Sequence, residues 1–90
     1  MTHIMPNYLV HRTLHERSSE LMEYHCTSVW YYDEKEKTIV ICTNRPGLWI
    51  GLYGKDSKNL ENEINKILTK HNKEQIHIKF IECDSWIQNL

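Results

Sequence analysis

The stretch Arg45-Pro46-Gly47-Leu48-Trp49-Ile50-Gly51-Leu52-Tyr53-Gly54 (RPGLWIGLYG) holds all three glycines of a 90-residue chain and one of its two prolines. Glycine serves where the backbone needs a positive φ or where something must come close to the main chain. Its concentration here marks one place that turns or is approached. Pro46 suits the first turn of a helix, where its missing N–H costs nothing, and Gly51 stops that helix. The reading is a short helix, an opening from Gly51 to Gly54, and a longer helix over Asp56 to His71, where Leu60, Ile64, Ile67, Leu68 and His71 recur at helical spacing.

The glycines run GxxxGxxG, so the dinucleotide fingerprint GxGxxG is absent. Gly54-Lys55 is followed by Asp56 without the spacing that cradles a nucleotide triphosphate. What remains is a GxxG opening before a helix whose first N–H groups lack intrahelical partners and lie at the positive end of the dipole. Such a place suits a phosphate.

Outward from this stretch, Tyr8 to Tyr24 reads as a helix with apolar positions at Val10, Leu14 and Leu21, Ser18 standing where another apolar residue would complete the stripe. Cys26 to Tyr32 and Thr38 to Thr43 (TIVICT) read as strands joined by the charged turn Asp33 to Lys37 (DEKEK). Gln75 to Cys83 (QIHIKFIEC) alternates as a third strand with one face buried. The order is helix, strand, strand, helix, helix, strand, in one domain over 1–90, with a core of about 8–83 and a tail of 84–90.

RPGLWIGLYG, followed by Leu60 and Ile64 and then by Ile76, Ile78 and Phe80, resembles a type II KH domain, as in a small-subunit ribosomal protein, Era-like GTPases and NusA-like factors. Those proteins carry RPG-x-x-IG-x-x-G-x-x-[IV]-x-x-L-x-x-x-L and an alternating final strand. The resemblance implies an α+β fold, a three-stranded sheet with helices on one face. It also implies non-catalytic binding of single-stranded nucleic acid, RNA before DNA, in which the GxxG backbone holds about four nucleotides while bases lie on an apolar groove. Gly51, Leu52, Tyr53 and Gly54 would contact the nucleic-acid backbone, Arg45, Lys55 and Lys58 would supply charge, and Ile41, Ile50 and Leu60 would wall the groove or the core beneath it. The middle of the clamp, usually rich in Lys, Arg or Gly, is Leu52-Tyr53, and Ser57 stands where the pattern has Ile or Val.

The charge distribution permits a polyanion partner on one side, although a formal net charge of -1 is far from the strongly basic balance that makes nucleic acid the default partner. Lys and Arg against Asp and Glu count 4 to 6 over residues 1–44, 7 to 4 over 45–81 and 0 to 2 over 82–90. The alternative is a KH-like module that binds a protein or forms a homodimer through the outer face of its sheet. Ile39, Ile41, Ile76, Ile78 and Phe80 would face the helices, leaving Val40, Cys42 and Ile81 outward, with one set from Val29 to Tyr32. Trp86, Ile87 and Leu90 would cover that face or enter a dimer interface. Trp49 reads as core rather than as a base-stacking ring.

His11 and His15 share a helical face without a third ligand, and His25-Cys26 lacks a group to orient it, so neither metal, cofactor nor catalysis is expected. Cys26, Cys42 and Cys83, an odd number without a CxxC pair, point to reduced thiols. No apolar run is long enough for a membrane span and the first residues lack a secretory pattern, so the expected location is cytoplasmic.

Overall fold

The computed structural model describes residues 7–83. Asn7 caps the first helix, α1 (Tyr8–Leu21), its side chain accepting the Leu9 N–H at 2.7 Å. Val10, Leu14, Ser18 and Leu21 form its buried face, so Ser18 completes the stripe despite its hydroxyl. A 3-10 turn, Met22–Tyr24, ends in left-handed His25.

Strands β1 (Ser28–Asp33) and β2 (Thr38–Thr43) pair antiparallel, from Ser28 opposite Thr43 to Asp33 opposite Thr38. Asp33 is the last residue of β1, and its carboxylate accepts the Glu36 N–H at 3.1 Å to close the charged turn. The chain then crosses through α2 (Pro46–Ile50), a 3-10 turn (Leu52–Gly54) and α3 (Lys55–Lys70) to β3 (His77–Glu82), which pairs parallel to β2. The sheet order is β1-β2-β3, with β2 central. This is the expected α+β architecture. Among the described residues no helix is long and apolar enough to cross a membrane.

One core lies between the sheet and the helices. Val10 and Leu14 of α1, Trp49 of α2 and Ile64 and Leu68 of α3 meet Ile39, Ile41 and Ile76, all at most 2% exposed. Trp30, Tyr32, Ile78 and Phe80 pack against this cluster half-buried, so the inward residues of β1 are Trp30 and Tyr32 and the outward ones Val29 and Tyr31.

β1 and β3 each begin two residues later than expected, because the preceding backbone groups are engaged elsewhere. Cys26 lies before β1 because its N–H closes the end of α1 on the Leu21 carbonyl at 3.3 Å, and its thiol turns to the Thr43 hydroxyl at 3.2 Å. β3 starts at His77 because the Asn65 side chain takes both backbone groups of Ile76, at 2.8 and 3.0 Å.

The expected outer patch of Val40, Cys42 and Ile81 needs correction. Val40 is only 5% exposed: it lies on the central strand, with Tyr31 and Lys79 as its neighbours on either side. Cys42 is half-buried, and Ile81 alone of the three is exposed. Burial, followed by the hydrogen bond and charge of Cys83, pushes the Cys42 thiol pKa upward, keeping it protonated. The expectation for Trp86, Ile87 and Leu90 falls outside the described residues.

Candidate functional site

Pro46 opens α2 at its first turn and Gly51 ends it with φ 78° and ψ 176°, a conformation essentially confined to glycine. The space freed by the absent side chain is filled from the next helix. A Cβ on Gly51 would stand 2.5 Å from the Asp56 Cγ and 2.7 Å from its Cβ. Asp56, in the first turn of α3, complements the helix dipole and pairs with Arg17 of α1 at 3.5 Å. Arg17 also meets Glu20 at 3.8 Å, so one guanidinium ties α1 to the start of α3.

Gly54 is left-handed at φ 72° but borders open space, so its need is conformational rather than steric. Tyr53, between them in sequence with Leu52, is also left-handed at φ 57° and is 97% exposed, beside Leu52 at 76%. For an aromatic residue that backbone is unfavourable. The loop therefore presents two large apolar side chains to solvent on a strained support.

The Gly51 N–H donates to the Gly47 carbonyl at 2.9 Å and the Gly54 N–H to Gly51 at 3.2 Å, while Lys55 donates to Leu52. The N–H groups of Leu52 and Tyr53, first in the turn, have no partner inside it. The glycines thus shape the loop, and the N–H groups that the turn leaves without a partner belong to its two middle residues. Arg45, Lys55 and Lys58 are exposed and form no ion pair among the described residues. Ser57, in place of an aliphatic residue, returns its hydroxyl to the Gly54 carbonyl at 3.1 Å.

Beside the loop an open groove of about 440 Å³ runs between α3 and β3, lined by Ile50, Ser57, Lys58, Glu61, Ile78 and Phe80. Of the expected wall residues, Ile50 lines this groove, while Ile41 and Leu60 belong to the core. Ile78, Phe80 and Glu61 were not expected as lining residues. The alternation of the last strand marked the first two as facing the helices, but only the crossing of α3 over β3 leaves them half-covered.

Glu61 and Asn65, one helical turn apart on α3, cover the free edge of β3. The Glu61 Oε2 accepts the Ile78 N–H at 3.0 Å, and Asn65 brackets Ile76. The other edge of β3 pairs with β2.

Trp49 is 1% exposed, so it supports the site from below. Its ring lies between Trp30 and Phe80, with centroids 6.5 and 6.1 Å away, and its Nε1–H donates to the Ser28 hydroxyl at 2.9 Å. Ser28 in turn donates to the Thr43 Oγ1 at 3.1 Å, which also accepts the Arg45 N–H at 3.3 Å. This polar chain anchors the start of the Arg45-Pro46-Gly47 turn to the sheet. On the far side of Trp30, His11 packs at 5.9 Å, engaging one of the two paired histidines in an aromatic contact.

The KH domain family model KH_2 matches residues 28–87, two-thirds of the chain, from β1 through β3. No curated protein and no solved structure matches it.

Proposed function

We propose, since this chain belongs to the KH domain family, whose members in general bind nucleic acid, that it binds single-stranded RNA in preference to DNA, without catalysing a reaction on it. The observation that carries the reading is the junction of the Gly51–Gly54 loop with the apolar groove over Ile50, Ile78 and Phe80. A phosphate fits against the Leu52 and Tyr53 N–H groups with Lys55 and Lys58 nearby, and the attached bases extend over the groove. Tyr53 supplies an exposed ring on which a base stacks, in place of the cations usual at the loop centre.

The test compares the full chain binding a labelled pool of single-stranded RNA hexamers with its binding to a blunt RNA duplex. Binding confined to single strands, and lost when Leu52 and Tyr53 are both changed to Asp, supports the reading. These positions are exposed, so the variant retains its core. Equal binding to duplex, or unchanged binding by the variant, contradicts it.

A second reading has its own observation: Val29, Tyr31 and Ile81, on the outer sheet face, are 41%, 37% and 37% exposed. Association with a protein or a second copy through that face would leave the groove unused, and would appear as a concentration-dependent mass with no RNA binding.

A further inference from the structure

We infer that Glu61 makes the groove selective for bases bearing an exocyclic amino group, and so against uracil; the inference rests on the groove being the base-binding surface. Ile50, Ile78 and Phe80 offer apolar contact that any base can use. Discrimination therefore falls to the polar lining residues: Ser57 gives its hydroxyl to the Gly54 carbonyl, Lys58 stands toward the loop where the phosphates pass, and Glu61 lies against Ile78. In a strand, the N–H and C=O of one residue point to the same side, as Ile76 demonstrates by giving both to Asn65. Ile78, two residues on, presents its pair in the same direction, beside the groove.

The Ile78 donor is already taken: its N–H donates to the Glu61 Oε2 at 3.0 Å. What a base meets at this point is the Ile78 carbonyl and the remaining acceptor capacity of the Glu61 carboxylate, a group that accepts and does not donate. Adenine, cytosine and guanine each offer an amino donor to such an edge. Uracil offers one N3–H flanked by two carbonyls, and those oxygens face the carboxylate with repulsion. The same negative charge orients the strand, since phosphates are driven from Glu61 toward Lys55 and Lys58 at the loop end.

Hexacytidylate and hexauridylate differ at each base in this respect, so they are the probes. Anisotropy titrations with the full chain should find hexacytidylate bound about tenfold more tightly than hexauridylate. E61Q retains an oxygen for the Ile78 N–H and turns an amide donor toward the base; it should reduce the preference below about threefold, chiefly by improving hexauridylate binding. E61A, checked for a cooperative melting transition, should shift the preference in the same direction because it frees the Ile78 donor. Clear binding with no preference, or a preference unchanged in both variants, overturns the role of Glu61 while leaving the groove reading intact. No binding of either hexamer overturns the groove reading, and this inference with it.

Discussion

The missing side chain of Gly51 and the carboxylate of Asp56 occupy one space: a Cβ on the glycine would stand 2.5 Å from the Asp56 Cγ. The loop is shaped by contact from the following helix as well as by backbone freedom. Gly54 has the freedom without the contact.

Gly51→Ala must therefore bear a glycine-only conformation, about 1–3 kcal/mol, together with displacement of Asp56 from Arg17. Gly54→Ala bears a left-handed residue alone, about 1–2 kcal/mol. Denaturant unfolding should rank the first variant clearly below the second. Equal losses would show that Asp56 does not use the space.

Tyr53 combines strain with exposure, and the two should separate on substitution. Tyr53→Gly relieves the left-handed backbone and is expected to stabilise the fold by about 1 kcal/mol. The same change should weaken RNA binding by about 1–3 kcal/mol through loss of a stacking ring. Melting and titration of one preparation test both signs.

Asn65 satisfies both backbone groups of Ile76 before β3 begins. Asn65→Ala is expected to cost about 1–3 kcal/mol, because those groups lose their partner at a half-buried position. Hydrogen exchange should show the Ile76 amide losing protection, with the Ile39 and Ile41 amides of the central strand losing no more than the global stability change requires.

Three cations that form no ion pair among the described residues surround the loop. If Arg45, Lys55 and Lys58 each neutralise one phosphate, log K should fall with log salt with a slope of about −2, from about −0.7 per contact on a single strand. Removing Lys58 should reduce the slope by about one contact's worth. A flat salt response would remove phosphate neutralisation from the account.

The elements were legible where a pattern is local. Pro46 and Gly51 bound α2 in the sequence as in the structure, and the Leu60–Ile64–Leu68 stripe marks the buried side of α3. Strand ends were less legible because Cys26 and Ile76 give their backbone groups to Leu21 and Asn65, contacts with no local signature. Alternation placed Val40 outward, but its exposure depends on neighbouring strands. At the candidate site, the place of the loop between two helices could be read directly, with Arg45, Lys55 and Lys58 exposed around it. Ile78 and Phe80 as groove floor, Glu61 at its edge and Asp56 beneath Gly51 all depend on how α3 lies against its neighbours, which its own periodicity does not specify.

The most direct test of the central claim is an NMR titration of the labelled chain with short single-stranded RNA. The account predicts amide shifts concentrated over Arg45 to Lys58 and at Ile78 and Phe80, lost when Leu52 and Tyr53 are both changed to Asp. Absence of shifts at millimolar RNA, or shifts confined to Val29, Tyr31 and Ile81 on the outer face of the sheet, would contradict it.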